Sequence, residues 1–339
     1  MTVRVRIEDV ARAAGVSMKT VSRVLNNEAT VRDDTRSRVQ EVAKALNYRP
    51  DPSARSLAGR KSYLVALLYD NPSANYLMEI LMGVVEACQA HHYGMVVQPL
   101  LYDSPDFVET VISLVSFSRF DGLILTPPIT DSVELLDRLD ELAIPYACIS
   151  PKNREGRIGV TLEEHDAVSD MVAHLVSLGH TRIAHIKGHT AHGASEWRLA
   201  GYRAGLRRTG LRYDPALVIE GEFSFDSGVR AGHVLLDLPE PPTAIFAAND
   251  DMAAGVMSVA HGRGLRIPDD ISVCGFDNTP MSRQIFPALT TVHQPTQDMG
   301  RQATLELLKA IRDPASGEMV RMPYALQLRQ STGSAPRRP

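Results

Sequence analysis

From Tyr63 onward the chain repeats one unit, a short apolar run followed by an amphipathic stretch of helical length. That alternation restricts it to an α/β fold. Tyr63–Tyr69 (YLVALLY) is apolar at successive positions, as a strand covered on both faces of a parallel sheet must be, and a helical stretch follows over about Asn75–Ala90. Met95–Val97, Asp121–Leu125 and Tyr146–Ile149 continue the series, with Pro145 at a strand start. A second series begins after about Leu162, with strands at Arg182–Ile186, Ala244–Ala248 and Ile271–Phe276. Helical stretches near His165–Leu178, Glu196–Thr209, Ser227–Leu236 and Asp251–Arg263 separate them. Two series predict two doubly wound lobes. Ligands in such sheets bind beyond the carboxyl ends of the strands, so two lobes face to face define a cleft.

The first 61 residues follow a different pattern. Ile7, Val10, Ala11 and Ala14 recur at helical spacing, and Gly15 then supplies a turn that needs positive φ. Ser17 is placed to cap a second helix, which turns Val21, Val24 and Leu25 inward and leaves Met18, Lys19, Ser22 and Arg23 on its other face. Two short helices joined by a tight glycine turn, the second presenting basic and polar groups, describe a helix-turn-helix. On these residues alone an ordinary helical hairpin fits as well. A third helix is readable in Asp33–Leu46, with Val39, Val42 and Leu46 as its apolar stripe and an early Asp pair at the positive end of its dipole. Beyond it, Asp51 suits an N-cap, Pro52 a first helical position and Gly59 a helix end. The segment between them is too short to be a stable helix by itself.

Charge divides the chain at the same place. Residues 1–61 hold 13 Lys and Arg against 7 Asp and Glu, a balance of +6, whereas the remainder carries −10. A basic head on an acidic body directs the head toward phosphates and keeps the body off them. The amino terminus lacks the apolar stretch of a signal peptide, and no run long enough to span a bilayer occurs. Cys88, Cys148 and Cys274 are few, odd in number and far apart, which suits a reducing cytoplasm and offers no disulfide framework. The expected location is therefore cytoplasmic.

AGVSMKTVSRVLNN (14–27), LNYRPDPSARSLAGRKS (46–62), the R-L-A-G of 198–201 and the G-F-D of 275–277 together resemble the lactose-repressor (LacI/GalR) family of transcription regulators. The similarity runs essentially ungapped from about Ile7 to Ser331. It implies a head at 1–61 with a hinge helix at about 51–60, and a body at 62–331 similar to sugar-binding periplasmic proteins. Lobe 1 would take about 62–162 and 292–322, and lobe 2 about 163–291 and 323–331, with crossings near Leu162, Thr291 and Met322. Residues 332–339, polar and Pro-containing, are expected to be a flexible tail.

The resemblance also implies roles. Met18 and Lys19 open the recognition helix and would read base edges, as would Arg23, whose fork matches guanine O6 and N7. Thr20, Ser22 and Asn26 correspond to phosphate-positioning residues. Leu57 matches an apolar wedge inserted into the central minor-groove step, with Ala54 and Arg55 beside it. Arg6 stands where the family usually has Thr or Ser before the first helix.

In the cleft, the stretch Asp70–Leu77 includes Asn75 and Tyr76, the latter at the family's aromatic position over the effector. Pro127 and Pro128 follow another strand. Arg198 would fork hydrogen bonds onto neighbouring hydroxyls or a carboxylate. Phe223 matches a ring-stacking position, Asn249 and Asp277 hydroxyl-binding positions, and Gln294 a further pocket position. Individually, Phe223 could be plain core, Asn249 a helix cap and Asp277 a turn former. Thr296 stands where some sugar-binding members carry an aromatic.

His174, His180, His185, His189 and His192 invite a metal reading, but no H-E-x-x-H or Cys partner accompanies them, and no cofactor is expected. His189 and His192 precede Arg198, and a pocket-lining role suits them better. No G-x-S-x-G, Walker A or G-x-G-x-x-G frame supports an enzyme, and a periplasmic carrier would not need the basic head. The expectation is a ligand-responsive repressor, a homodimer on a pseudopalindromic operator in double-stranded DNA, with no membrane partner. Its effector would be a sugar or sugar derivative, the alternative being a purine or other metabolite on the same scaffold.

Overall fold

The computed structural model describes residues 5–25, 30–48 and 61–336, and the chain divides into two compact units, Met1–Tyr63 and Leu64–Pro339. The expected hinge at about 51–60, with Ala54, Arg55 and Leu57, lies outside the described residues, as does Asn26.

In the first unit, α1 (Ile7–Ala14), α2 (Met18–Leu25) and α3 (Asp33–Ala45) close a small core of Val10, Ala11, Ala14, Val21, Val24, Val39 and Ala43. Gly15 ends α1 at φ +65°, the left-handed turn expected of it. The Ser17 hydroxyl accepts the Thr20 N–H at 3.1 Å and caps α2. Before α1 the cap runs in reverse: arginine has no acceptor, but the Asp9 carboxylate reaches back to accept the Arg6 N–H at 2.9 Å.

The second unit begins with β1 (Leu64–Tyr69), α4 (Ala74–Ala90), β2 (Gly94–Pro99), α5 (Phe107–Ser118), β3 (Gly122–Leu125), α6 (Val133–Glu141), β4 (Tyr146–Ile149) and β5 (Gly159–Leu162). It continues with α7 (Glu164–Ser177), β6 (Ile183–Lys187), α8 (Gly193–Arg208), β7 (Val218–Glu220), α9 (Phe225–Leu236), β8 (Ala244–Ala247), α10 (Asp250–Gly262), β9 (Ser272–Asp277), α11 (Met281–Gln284) and β10 (Thr290–His293). Then come α12 (Thr296–Arg312), β11 (Met319–Met322) and β12 (Ala325–Gln327). The lobe 1 sheet has the order β11-β5-β4-β3-β1-β2 with every pair parallel. The lobe 2 sheet has the order β12-β10-β9-β8-β6-β7 and is parallel except for β12 on β10. Each sheet is covered on both faces by helices, which is why its central strands are uninterrupted apolar runs.

The chain crosses between lobes three times: between β5 and α7, between β10 and α12, and between β11 and β12. The second crossing falls later than the expected Thr291, because β10 pairs with β9 as far as His293 and buries Val292 in lobe 2. The expected flexible tail is also corrected for residues 332–336. The Gly333 N–H donates to the Ser272 hydroxyl at 3.1 Å, the Ala335 N–H donates to the Leu178 carbonyl at 2.9 Å, and the Thr332 and Thr290 hydroxyls bond at 2.8 Å. His180 anchors the segment from beneath, its ring nitrogens meeting the Thr243 hydroxyl at 3.0 Å and the Gly333 carbonyl at 3.1 Å. A polar sequence here satisfies backbone groups at a sheet margin and does not mark disorder.

Candidate ligand cleft and DNA-reading surface

The carboxyl ends of β1, β3, β4 and β5 face those of β6 to β10, and the loops leaving these strands line one cleft. Lobe 1 supplies Asn71, Ser73, Tyr76, Pro127 and Ser150, while Glu164, Ala194 and Phe223 are among the lobe 2 contributions. Its empty space is about 390 Å³ with the open mouth included.

Bonds across the mouth hold the lobes together. Asp251, at the start of α10, accepts from the Ser73 hydroxyl and from the Asn75 amide at 3.2 Å. Opposite, Asp131 of lobe 1 accepts the Gly193 N–H at the start of α8 at 2.8 Å, where the helix dipole favours a carboxylate. Lys152 pairs with Glu196 beside it at 2.8 Å. Burial raises the carboxyls of Asp131 and Asp251, and the hydrogen bonds they accept across the mouth act against that shift.

Arg198 forms the floor. Its Nε donates to Glu164 Oε2 at 2.8 Å, Nη1 donates to the Ala248 carbonyl and lies 3.8 Å from Asp277, and its plane stacks on Phe276 at 3.7 Å from the ring centroid. Both Arg198 and Glu164 are buried, so the pair is largely desolvated and the loss of one partner leaves a costly buried charge. Asp277 accepts from Gln294 at 2.6 Å, and burial raises its carboxyl well above the ordinary range against the opposing pull of Arg198. Burial lowers the His192 imidazole to about 3, so it lines the cleft as a neutral ring.

Three lining residues that are not glycine hold positive φ: Ser150 at +48°, Phe223 at +57° and Asp277 at +112°. Such strain gathers where a backbone is forced to present a side chain. Phe223 is the clearest case, since a Cβ on Gly188 would lie 1.9 Å from its Cζ. Ser150 adds a second signal, because its hydroxyl is buried without a hydrogen-bond partner among the described residues.

Of the residues expected in the cleft, Tyr76, Pro127, Arg198, Phe223, Asn249, Asp277 and Gln294 line it together. Asn249 is also a helix cap, accepting the Met252 N–H at 3.0 Å and donating to the Phe223 carbonyl at 2.9 Å. Two expectations are corrected. Asn75 sits at the mouth, committed to Asp251, and His189 turns away to accept the Ala191 N–H at 3.2 Å, leaving His192 on the lining. Thr296 is buried, its hydroxyl donating to the Gln294 carbonyl at 3.2 Å, and it is not among the residues that line the cleft. Glu164 and Asp251, each in the first turn of a helix, and Ser150, just past a strand, were missed, because a carboxylate or hydroxyl carries no local signal of its distant partner.

On the head, Met18, Lys19 and Arg23 are exposed along α2, while Thr20 and Ser22 are half-buried beside them. The Thr20 hydroxyl lies 2.9 Å from that of Ser17. Among the described residues no group of three or more His, Cys, Asp and Glu is arranged to hold a metal, and no helix is long and apolar enough to cross a membrane.

Residues 6–51 match the family described as bacterial regulatory proteins, lacI family, and residues 172–332 match the periplasmic binding protein-like domain. Catabolite control protein A of Priestia megaterium is 32% identical over 332 residues, covering 97% of this chain and 99% of that protein. Among solved structures, the complex of the transcriptional regulator CelR with cellobiose superposes with a TM-score of 0.73 at 30% identity, covering 97% of this chain and 100% of that one. The lac repressor dimer bound to operator and the anti-inducer ONPF gives a TM-score of 0.78 at 29% identity, covering 98% and 100%.

Proposed function

The chain belongs to the lacI family of bacterial regulatory proteins, and from that premise we propose that it is a ligand-responsive transcriptional repressor whose cleft takes a sugar or sugar derivative. The observation that carries the effector reading is the lining itself. The rings of Tyr76 and Phe223 suit the apolar C–H face of a sugar, and the Ser150 hydroxyl and the Arg198 Nη2, neither hydrogen-bonded to the described residues, suit its hydroxyl edge. A purine is the second reading, because an aromatic face with amide and carboxyl edges also suits a planar base.

On DNA, Met18, Lys19 and Arg23 read bases and Thr20, Ser22 and Asn26 hold phosphates. Two heads on a homodimer read the two half-sites of a pseudopalindrome. The family likeness assigns Ala54, Arg55 and Leu57 the contacts at the minor groove. Effector binding shifts the equilibrium between lobe arrangements, and linkage changes operator affinity by the same coupling free energy. The cleft binds and releases its ligand without turnover, and the protein acts in the cytoplasm where its operator lies.

The test is selection of bound fragments from random duplex DNA, followed by anisotropy of the selected site while sugars and purine bases are titrated. Enrichment of a two-fold symmetric site, released by a sugar, is the expected result. Binding with no sequence preference would defeat the regulator reading, and release by a base alone would defeat the sugar reading.

A further inference from the structure

Among the described residues the cleft has one cation on its lining, Arg198, and it is already paired with a carboxylate. Arg198 gives its Nε to Glu164 at 2.8 Å and stands 3.8 Å from Asp277, all three side chains being no more than 6% exposed. His192, the lining histidine, stays uncharged at neutral pH. The cations at the rim are held by acids of their own, Lys152 by Glu196 and Arg154 by Glu163. Whether Asp277 is ionised or protonated, the lining carries no net positive charge.

Resting on the sugar reading above, we propose that the cleft accepts only uncharged hydroxyl-bearing effectors and rejects phosphorylated or carboxylated ones, with Glu164 as the residue that sets this selectivity. An arginine alone on the floor of a buried pocket attracts an anion, and its fork matches carboxylate and phosphate. Glu164 occupies that fork from inside the protein. An anionic ligand would enter a desolvated space beside a carboxylate that it has no means to displace. Among the donors left for a ligand are the two on Nη2, which make no hydrogen bond to the described residues, and the Ser150 hydroxyl. Such donors suit neutral oxygens. One like-charge contact at the distances here, at an intermediate effective dielectric, corresponds to a preference of about 100-fold or more for a neutral sugar over its phosphate ester.

The experiment uses the full chain, its Glu164→Gln variant and its Asp277→Asn variant. Each is titrated by calorimetry with glucose, ribose and cellobiose, with glucose 6-phosphate and ribose 5-phosphate, and with inorganic phosphate alone. Circular dichroism establishes that each variant is folded. Wild type should bind no sugar phosphate within about 100-fold of a neutral sugar. Glu164→Gln keeps the side chain's shape and removes its charge, so it should gain saturable binding of inorganic phosphate and of sugar phosphates that wild type lacks. Asp277→Asn, farther from the guanidinium, should gain less. Phosphate taken up by the basic head contributes equally to all three proteins, so only the difference between them counts. Sugar phosphates binding wild type as tightly as free sugars would overturn the proposal, as would a Glu164→Gln protein that is folded yet no more receptive to phosphate. Failure of every free sugar to bind, with the phosphate difference intact, would count against the sugar reading and leave the charge selectivity standing.

Discussion

Replacing Arg198 by Ala leaves Glu164 buried without its counter-charge. The guanidinium donates to that carboxylate at 2.8 Å and to the Ala248 carbonyl, and it covers the Phe276 ring at 3.7 Å. Breaking a buried pair from one side costs roughly 3–5 kcal/mol, mostly the penalty of the charge left behind. In a unit of this size, each kcal/mol shifts Tm by about 2–4 °C, so Tm should fall by about 6–20 °C. The loss should also depend on pH. An unpaired buried carboxyl is protonated more readily folded than unfolded, so the variant recovers stability as pH falls and loses it as pH rises. Thermal unfolding of wild type and variant followed by circular dichroism at about pH 5 and about pH 8 reads both effects, with the larger gap at the higher pH. A variant within about 1 kcal/mol of wild type at both values would refute the buried-pair argument. Titration of any ligand that binds wild type should give no response in the variant.

Three further outcomes follow from the same geometry. Gly188→Ala drives a methyl into the Phe223 ring and should destabilise the body by about 1–3 kcal/mol while lowering ligand affinity, with Phe223→Leu restoring stability; a variant with unaltered Tm would show that the ring moves aside freely. Burial pushes the Asp250 carboxyl up to about 7 despite its bonds from Thr279 and Thr291, so the stability it contributes is complete below the ordinary carboxylate range and is lost as pH rises through about 7. Wild type should therefore weaken from acid to neutral pH more than Asp250→Asn, and parallel stability curves would contradict this. Trp197, the single tryptophan, adjoins Arg198 and carries the Arg154 guanidinium 5.4 Å from its ring, so its emission should change when ligand fills the cleft; silence with a ligand seen by calorimetry would place Trp197 outside the coupled region.

The central strands were legible because both sheets are covered on both faces. LVALLY, GLIL and AIFA leave no polar alternation, and burial on two sides is the only arrangement that suits them. The recognition hairpin was legible from Gly15 and Ser17, whose conformational and capping demands are local. Strands β5 and β10 and the edge strands β7, β11 and β12 were not read. MVRM and ALQ are short and half-exposed, and their pairing is decided by segments far away in sequence. The site divides along the same line. Arg198 stood out by its motif, but Glu164 is 34 positions earlier and is tied to it only by the packing of α7 on α8. The use of Asn75 at the mouth depends on Asp251, 176 residues away.

The triple crossing also sets when the cleft comes into being during synthesis. The described core of the head is drawn from residues 5–48 alone. The body is different, because lobe 1 waits for α12 and β11, and lobe 2 waits for β12 and the segment that joins Ser331 to Val273 and Ala335 to Leu178. Both cleft walls thus depend on residues beyond Gly317. A nascent chain can close the core of its helix-turn-helix well before either wall of the cleft is complete.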